Sequence, residues 1–357
     1  MQPKTNDVTQ DLQQKIENII NRKPQADDRE ILFLLKQLFY EAELQNNAGK
    51  DAKNIAGLVA ENMHQLKGET HQNVVITTGF DDFDTRFGGF RLGEFVVIGG
   101  RPAMGKTQFL VNLSLHISTT LPVLYLTMDL SEFLLTNRFI ASVSEIPTCN
   151  ILQHDLSKEQ KSILSKIGNK FTKRKLFICD SGNNSVETLK AFCRKQVQEN
   201  GIQVIVVDYL QLITSYNHRK YRELEVSYIS RELKNMAKEY NVCVIASSQL
   251  SRGVEYRGGI EGKRPHLSDL RESGAIEQDA DKVLFIHRPE YYGILLDENG
   301  NDLRNLAEII VAKNRNGRLG DFYLSRDNNF TNFRNYIPKK EFTFSSDRLL
   351  ELRDVPF

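Results

Sequence analysis

Apolar positions change their spacing part way along this chain. Over residues 8–47 they recur every three or four residues, as in Leu12, Ile16 and Ile19, which is the period of an amphipathic helix. From Val74 onward, short apolar runs of strand length alternate with helical stretches. The pattern therefore predicts a short helical beginning followed by an α/β domain.

Four segments follow from these patterns. Residues 1–50 are predicted to form a short helical region, residues 51–72 a linker helix, residues 73–337 the α/β domain and residues 338–357 a C-terminal tail. The linker segment carries an apolar stripe made by Ile55, Leu58, Val59, Met63 and Leu66. The helices predicted over residues 1–72 are too few for a conventional domain core, so we expect this stripe to pack on a neighbour.

The α/β domain is predicted to contain a mostly parallel sheet with flanking helices. Strands are predicted over residues 95–98, 122–127, 175–179, 203–207, 242–246, 282–287, 307–312 and 321–324. Helices are predicted near residues 131–142, 157–170, 186–198 and 223–240. Repeated units of one strand and one helix require parallel strands that the helices cover.

Composition and charge narrow the class of protein. The chain has 357 residues, 40% of them apolar, which is enough to bury a sizeable core. Its 47 basic and 46 acidic residues nearly cancel, so contact with a polyanion has to come from local basic clusters. Four cysteines without metal-ligand spacing predict free thiols. No membrane-length apolar run and no signal-peptide pattern occur, so we expect a cytoplasmic protein without a membrane partner.

One motif points directly to a nucleotide. The strand over residues 95–98 leads into a complete phosphate loop, GxxxxGK[ST], made by Gly100, Arg101, Pro102, Ala103, Met104, Gly105, Lys106 and Thr107. The loop wraps several N–H groups around one phosphate chain, and the helix that continues through Gln108 adds its positive end. We expect Lys106 to reach the β- and γ-phosphates and the Thr107 hydroxyl to bind Mg²⁺. ATP and Mg²⁺ are therefore the predicted cofactors.

Polar residues that close later strands complete the predicted site. Asp208 ends an apolar strand and is assigned to support Mg²⁺. Asp129 closes a strand that we expect beside the phosphate loop, where a carboxylate orients the attacking water. An N-terminal cap for the helix at residues 131–142 is the alternative role for Asp129. Gln249 closes another strand, and its amide either senses the γ-phosphate or only satisfies backbone groups.

Two loops carry clustered cations. One joins a strand to a helix and interleaves Arg219, Lys220 and Arg222 with aromatic residues, a pattern typical of contacts to single-stranded nucleic acid. The other, over residues 252–264, is basic and rich in glycine and begins with Arg252. Ordinary solvated loops are the alternative for both.

A predicted hairpin carries a pair of cations. Lys313 and Arg315 precede an Asn-Gly turn between two strands. Two cations at positions i and i+2 of an extended strand share one face, so both can meet one phosphate group. A hairpin tip cannot easily reach its own phosphate loop, which suits an arginine finger supplied to a neighbouring subunit. A solvated hairpin tip is the alternative.

Together these motifs resemble the C-terminal motor domain of DnaB-type replicative helicases, which are hexameric RecA-fold ATPases. The resemblance runs over residues 77–330 and includes the phosphate loop, VDYLQL at residues 207–212 and SQLSR at residues 248–252. Its most specific part is LSDLRESGAIEQDAD at residues 267–281, followed by HRPEYY at residues 287–292. It implies a RecA-like P-loop NTPase fold.

The resemblance also implies roles and partners. It matches Arg138 with the arginine that packs on the nucleotide base, and the cations of the hairpin with a pair contributed in trans. The loop that holds single-stranded DNA in the central channel falls on Arg271, Glu272 and Gly274. The implied function is a homohexameric helicase that translocates on single-stranded DNA during replication and unwinds duplex by strand exclusion. A helicase loader and a primase are the further partners.

The chain departs from the family at three points. The catalytic glutamate falls on Asp129, which is one methylene shorter, and about 1 Å of misplacement can cost about 10²-fold in rate. Arg318 stands where proline usually follows the turn, and the helical N-terminal domain, which in the family forms a collar and contributes to primase binding, is reduced. The alternative function is accordingly a nucleotide-controlled DNA-binding or helicase-regulating assembly protein with weak ATPase activity.

Overall fold

A computed structural model describes residues 15–17, 34, 38, 54–66, 75–180, 182, 184–216, 221–270, 274–327 and 329–337. The chain divides into two units, residues 1–72 and residues 73–357. The first unit contains helix α1 (Ile55–Leu66), which falls within the predicted linker. Most of the predicted N-terminal region and the predicted tail at residues 338–357 lie outside the described residues.

The second unit is an α/β domain. Its strands are β1 (Val75–Ile76), β2 (Phe90–Arg91), β3 (Phe95–Gly100), β4 (Val123–Thr127), β5 (Leu176–Asp180), β6 (Val204–Asp208), β7 (Cys243–Gln249), β8 (Lys282–His287), β9 (Leu306–Asn314), β10 (Gly320–Arg326) and β11 (Phe333–Asn335). Its helices are α2 (Asp81–Phe87), α3 (Lys106–Ile117), α4 (Glu132–Ser144), α5 (Thr148–Gln153), α6 (Lys158–Ser165), α7 (Gly168–Phe171), α8 (Val186–Asn200), α9 (Arg222–Glu239), α10 (Gly253–Tyr256), α11 (Gly259–Gly262) and α12 (Gly274–Asp279).

Nine strands form one sheet in the order β11-β10-β9-β8-β3-β7-β6-β4-β5. The strands from β8 to β5 in this order pair in parallel. Strands β9, β10 and β11 extend the sheet in antiparallel fashion. The predicted mostly parallel sheet is thus confirmed, and the predicted hairpin is the β9–β10 pair.

Helices cover both faces of the sheet. Successive residues of a strand point to opposite faces, so Val96 and Ile98 of β3 join a buried cluster with α3 and α4. Phe95 and Val97 join a second buried cluster with α8 and α9. Because all of β3 is buried, its sequence is a continuous apolar run without alternation. The phosphate loop therefore follows a strand that is packed from both sides.

The last described strand, which was not predicted, returns to the phosphate-loop helix. Gln108 Nε2 donates to the carbonyl of Thr331 at 2.5 Å, and the Phe333 N–H donates to Asn112 Oδ1 at 2.9 Å. Gly105, which precedes the helix, has φ of +97°, and a Cβ there would lie 2.9 Å from Phe333 Cζ. Position 105 is thus restricted to glycine by its backbone and by β11.

The helices between β4 and β5 differ from the prediction. The single helix predicted over residues 157–170 is two helices, α6 and α7. Ser157 starts α6 with a capping box in which Ser157 and Gln160 exchange hydrogen bonds, a signal that the sequence contains. Helix α5 was not predicted, because six residues are too few to show a helical period.

The predictions about the cysteines and about membrane-spanning segments can be compared with the described residues. All four cysteines are free thiols there, as predicted. Among the same residues, no helix combines the length and the apolar character needed to cross a bilayer.

Buried His287 makes the stability of this domain pH-dependent. His287 ends β8, is 2% exposed and stacks on Tyr292 with 5.8 Å between ring centroids. Burial, and then the charge of Arg264, lowers the pKa of His287 from 6.5 to about 4. Between about pH 4 and pH 6.5, the imidazole of residue 287 binds a proton in the unfolded chain but not in the folded chain. Stability therefore falls as the pH drops from 6.5 towards 4.

We expect His287 to lower the free energy of unfolding by ~2 kcal/mol between about pH 7.5 and about pH 5. His287→Phe keeps an aromatic ring against Tyr292 and removes the titration. Urea unfolding of both proteins at both pH values measures the difference, and the variant should lose about 2 kcal/mol less than the wild type. Equal losses in the two proteins would contradict this assignment.

Candidate nucleotide site and DNA-contacting segments

The predicted nucleotide residues meet at the carboxyl edge of the parallel strands. Gly100 at the end of β3 lies opposite Gln249 at the end of β7, and Asp208 at the end of β6 lies opposite Thr127 of β4. Parallel strands end at one edge, so the loops that follow them share a crevice. The structure therefore brings the phosphate loop, Asp208 and Gln249 together.

The backbone of the phosphate loop presents its N–H groups without a side-chain cap. Ala103 and Gly105 both have left-handed φ values, 63° and 97°. Helix α3 begins directly after Gly105, and no side chain caps its first N–H groups. Buried Arg288 supports the loop from Nη1, which donates to the carbonyl of Ala103 at 2.9 Å. Uncapped N–H groups at the positive end of a helix suit a phosphate anion.

Lys106 provides a test of whether a triphosphate fits this loop. Its Nζ donates to the carbonyls of Gly100 at 2.8 Å and Arg101 at 3.1 Å. Burial lowers the pKa of Lys106 to about 8, Asp208 opposes this shift, and Arg101 adds to it. A cation whose charged form is disfavoured by its surroundings gains strongly from an incoming polyanion. The loop therefore fits the phosphates of ATP.

Asp208 is held by two hydroxyl groups. Ser247 Oγ donates to Oδ1 at 2.5 Å and the Tyr125 hydroxyl donates to Oδ2 at 3.0 Å. Burial, followed by Asp208, raises the pKa of Tyr125 well above 10, so this hydroxyl remains a donor. Asp208 and the hydroxyl of Thr107 at the start of α3 are oxygen ligands of the type that Mg²⁺ prefers. When bound with ATP, Mg²⁺ neutralises charge on the β- and γ-phosphates.

Asp129 lies two residues beyond β4 with an exposed side chain. Its strand is not beside the phosphate loop as predicted, since β7 and β6 separate β4 from β3. The capping alternative is also wrong, because the cap of α4 is Ser131, whose Oγ accepts from Leu134 N at 3.3 Å. Among the described residues, Asp129 makes no hydrogen bond or ion pair. Burial and then the charge of Asp129 raise the pKa of Tyr209.

Gln249 has a fixed backbone next to the phosphate loop. Gln211 Nε2 donates to Ser248 Oγ at 2.8 Å and to the carbonyl of Gln249 at 3.3 Å. Gln211 Oε1 accepts from the Gln249 N–H at 3.1 Å. The Gln249 side chain is half-buried at the carboxyl edge, opposite Gly100. A side chain that can turn on a fixed backbone suits the predicted sensor of the γ-phosphate.

Arg138 lies on α4 and is half-buried. Its charge opposes the rise in the pKa of Tyr125, whose hydroxyl binds Asp208. Arg138 therefore acts through its charge on the tyrosine that holds Asp208. Its contact with the base stays a prediction.

The residues predicted to contact DNA divide into three groups. Arg252 is exposed directly before α10, and Gly274 is exposed at the start of α12, where a Cβ would meet nothing within 4 Å. Arg222 is engaged within its own loop region, because its guanidinium donates to the Gln211 carbonyl and to Glu225, both at 2.6 Å. The predicted residues that lie outside the described ones are Arg219, Lys220, Arg271 and Glu272.

The cations of the hairpin meet at the end of α12. Strand β9 ends at Asn314, so Arg315 lies in the turn and not on the extended strand as predicted. Both side chains still reach one acceptor, since Lys313 Nζ and Arg315 Nη2 donate to the Gln278 carbonyl at 3.2 Å and 2.6 Å. Arg315 also pairs with Asp281 at 3.5 Å.

Four side chains that shape the site were not predicted: Tyr125, Ser247, Gln211 and Arg288. Gln211 and Arg288 lie in the VDYLQL and HRPEYY motifs, so the motifs contained a signal for them. Tyr125 and Ser247 lie inside buried strands, where a polar residue has no pattern of its own.

A phosphate loop at the carboxyl edge of a mostly parallel sheet, with the carboxylate of Asp208 at the end of a strand two positions away, defines a RecA-like P-loop ATPase. Residues 75–335 match the family model described as the DnaB-like helicase C-terminal domain. The chain belongs to the DnaB-like helicase family and is an ATP-hydrolysing enzyme of the DNA-helicase class. The predicted resemblance is confirmed.

Curated relatives of this chain are named as replicative DNA helicases. The chain is 38% identical over 317 residues to a probable replicative DNA helicase of Trieres chinensis, covering 87% of this chain and 68% of that protein. It is 35% identical to the replicative DNA helicase DnaB of Haemophilus influenzae, covering 86% and 66%. The replicative DNA helicase DnaC of Bacillus subtilis is also 35% identical, with 84% and 65% covered. This chain therefore spans about two thirds of the length of these relatives.

Two solved structures share the fold. The first is an isolated ATPase domain, which is 32% identical with a TM-score of 0.72, and the match covers 80% of this chain and all of that chain. The second is a DnaB-like replicative helicase, solved in a study of its interactions with primase, which is 28% identical with a TM-score of 0.74. That match covers 92% of this chain and 76% of that helicase.

Proposed function

We propose that this chain assembles into a homohexameric ring that hydrolyses ATP with Mg²⁺, translocates on single-stranded DNA during replication and unwinds duplex by strand exclusion. Lys106 and Thr107 bind the phosphates and the metal, Asp208 supports the metal, and Gln249 reports the γ-phosphate. Asp129 orients the attacking water. Lys313 and Arg315 complete the site of the neighbouring subunit.

The position of the Lys313–Arg315 hairpin carries this proposal. Asn314 at the end of β9 lies opposite Lys282 at the start of β8, and Lys282 lies opposite Val96 near the start of β3. Val96 is four residues, or about 13 Å, from Gly100, where the phosphate loop begins. The cations therefore lie near the edge opposite their own phosphate loop, which supports their use by a neighbouring subunit.

The DNA and protein partners are proposed on separate grounds. Exposed Arg252 and Gly274 follow β7 and precede β8, the two neighbours of the phosphate-loop strand, so both segments can respond to the nucleotide. Phosphate contacts from such segments would hold DNA without preference for its bases. A primase is proposed because a structural neighbour interacts with one. A helicase loader is proposed from the resemblance, and a cytoplasmic location is proposed from the apolar pattern of the sequence.

ATP turnover and strand displacement test the function together. We expect single-stranded DNA to stimulate turnover, and we expect displacement of a labelled strand from a forked duplex but not from a blunt duplex. Turnover that single-stranded DNA leaves unchanged, with no displacement from the fork, would favour the regulatory assembly protein.

Asp129→Asn should lower kcat by at least about 10²-fold while nucleotide affinity stays near wild type, because the carboxylate acts on water and not on ground-state binding. Asp129→Glu should raise DNA-stimulated turnover, because it restores the side-chain length of the glutamate that the family has at this position. Steady-state kinetics and nucleotide titrations measure both effects. Ser131→Ala is the control: it removes the cap of α4, at a cost of about 1 kcal/mol in stability, and should keep turnover. Wild-type turnover in the Asn variant would exclude the catalytic role.

Helix α1 is proposed as the contact that links neighbouring subunits. Ile55, Val59 and Met63 form a stripe along it and are 72%, 51% and 50% exposed. Val59→Asp would bury an unpaired carboxylate in that contact and should shift hexamers towards monomers. Ala60→Asp adds the same charge off the stripe and should leave the ring intact. Sedimentation velocity distinguishes the two, and an unchanged profile for Val59→Asp would contradict the contact.

A further inference from the structure

Arg101 of the phosphate loop has its side chain bound to the segment that follows β7. The residue is 6% exposed, and its Nε and Nη2 both donate to Glu255 Oε1, at 2.9 Å and 2.8 Å. Its Nη1 donates to the carbonyl of Leu250 at 2.8 Å. A guanidinium held through three nitrogens is fixed in position. Its partner Glu255 has a half-exposed side chain, so water screens this pair only in part.

Both acceptors belong to the segment that follows β7. Leu250 comes directly after Gln249, and Glu255 lies on α10 between exposed Arg252 and Tyr256, the latter 84% exposed. An exposed cation directly before a short helix and an exposed aromatic ring at its end match the needs of single-stranded DNA, which binds through phosphate contacts and base stacking. The Arg101 side chain thus connects the phosphate loop to a DNA-contacting segment.

The same segment is joined to the one that leads to Gly274. Leu250 pairs with Leu270 in an antiparallel bridge, and the Ser251 N–H donates to the carbonyl of Asp269 at 2.8 Å. A displacement of Leu250 is therefore transmitted to the segment that ends at Leu270.

The main chain of Arg101 is hydrogen-bonded to Lys106. The Arg101 carbonyl accepts from Lys106 Nζ at 3.1 Å, and its guanidinium charge contributes to lowering the pKa of that lysine. Phosphates that bind Lys106 would compete with the Arg101 carbonyl for its ammonium group, while the Arg101 guanidinium is held by Glu255 and Leu250. One residue thus has its main chain in the phosphate loop and its side chain on the DNA-contacting segment.

We infer that the Arg101–Glu255 pair couples the phosphate loop to the DNA-contacting segment 250–257, as a route separate from Gln249. Glu255 is a positioning residue in this scheme, since it acts through Arg101. The inference rests on the proposed function, because it requires that single-stranded DNA and nucleotide bind one motor.

The experiment measures coupling at equilibrium. The affinity for a fluorescent oligo-dT is determined by anisotropy with and without a non-hydrolysable ATP analogue, in the full chain with Mg²⁺. The ratio of these two affinities is the coupling factor. Reciprocity requires the analogue to bind more tightly with DNA by the same factor. For Glu255→Gln we expect the factor in both directions to fall at least about fivefold, and the stimulation of ATPase by oligo-dT to fall with it.

Further variants separate coupling from a general structural effect. Glu232→Gln removes the carboxylate that pairs with Lys190 at 2.6 Å, a comparable ion pair between α8 and α9, and should leave the coupling factor at the wild-type value. Arg101→Lys keeps a cation in the phosphate loop without the paired donors and should reduce the factor even if Glu255→Gln fails to fold. In an Arg101→Ala, Glu255→Ala cycle, the double variant should lose no more coupling than Arg101→Ala alone.

The outcomes distinguish this inference from the function on which it rests. A wild-type coupling factor in both Glu255→Gln and Arg101→Lys would overturn the inference and leave the motor function standing. Additive losses in the alanine cycle would overturn it as well. A wild-type protein in which analogue and oligo-dT do not affect each other would contradict the proposed function itself.

Discussion

Lys106→Met should abolish ATP turnover, to below about a thousandth of the wild-type kcat, in a protein that folds at least as stably as the wild type. The loss of rate is expected because, in the proposed site, the ammonium stabilises charge on the transferred phosphoryl group. The gain in stability follows from the pKa of about 8, since below this pH the folded chain keeps a charged amine that its surroundings disfavour. Removing that charge should raise the free energy of unfolding by about 1–3 kcal/mol without nucleotide.

Kinetics and thermal unfolding with and without ATP measure both effects. ATP should stabilise the wild type and not the variant, because a ligand that binds only the folded state raises its stability. Lys190→Met is the matched control: it removes a lysine paired with Glu232 at 2.6 Å and should show the opposite behaviour, reduced stability with turnover retained. Turnover within a few-fold of wild type in Lys106→Met would exclude the assigned nucleotide site.

Arg315→Ala should lower turnover by about 10³-fold or more in a ring whose nucleotide affinity is nearly unchanged. In the proposed ring, the arginine would meet the γ-phosphate of a neighbouring subunit when charge develops in the transition state. Arg318→Ala is the control, since Arg318 is exposed on the same hairpin and has no assigned role. A similar loss in both variants would indicate a general effect on the hairpin.

Mixing two inactive proteins tests whether Arg315 acts in trans. In a random equal mixture of Arg315→Ala and Lys106→Ala subunits, roughly one interface in four pairs an intact Lys106 with an intact Arg315. Some turnover should therefore return. If mixed rings are shown to form and remain as inactive as either parent, the trans placement is wrong.

The sheet and the phosphate loop were predictable because local patterns determine them. Strand β3 is buried on both faces and is followed by glycines and a lysine at fixed spacing, so a window of about twelve residues contains the whole signal. The order of strands has no such signal. Whether β4 lies beside β3 depends on the crossovers between them. The strand that Asp129 follows was therefore wrongly predicted to lie beside the phosphate-loop strand. Strand β11 has three residues, too few for any period.

The site was predictable where a residue ends a strand or belongs to a motif. Asp208 and Gln249 were identified in this way, and the structure places them at one edge. The hydroxyls that hold Asp208 were not, because Tyr125 and Ser247 contact it only after two neighbouring strands have paired with β6. The pairing of Arg101 with Glu255 links positions 154 residues apart and has no local signature.

The return of β11 to the phosphate-loop helix has a consequence for synthesis on the ribosome. The bond from Gln108 to Thr331 joins residues 223 positions apart, and the Phe333 ring packs on Phe109 with 5.9 Å between centroids. Translation adds about 5–20 residues per second, so roughly 10–45 s separate the helix from the strand that covers it. Throughout that interval Phe109 has only its earlier aromatic neighbour, Phe80, whose ring stacks on it at 5.1 Å, and the side that Phe333 covers is open to chaperones and proteases. A chain whose translation stops early never closes this contact, so it can be recognised and degraded before it competes with finished subunits.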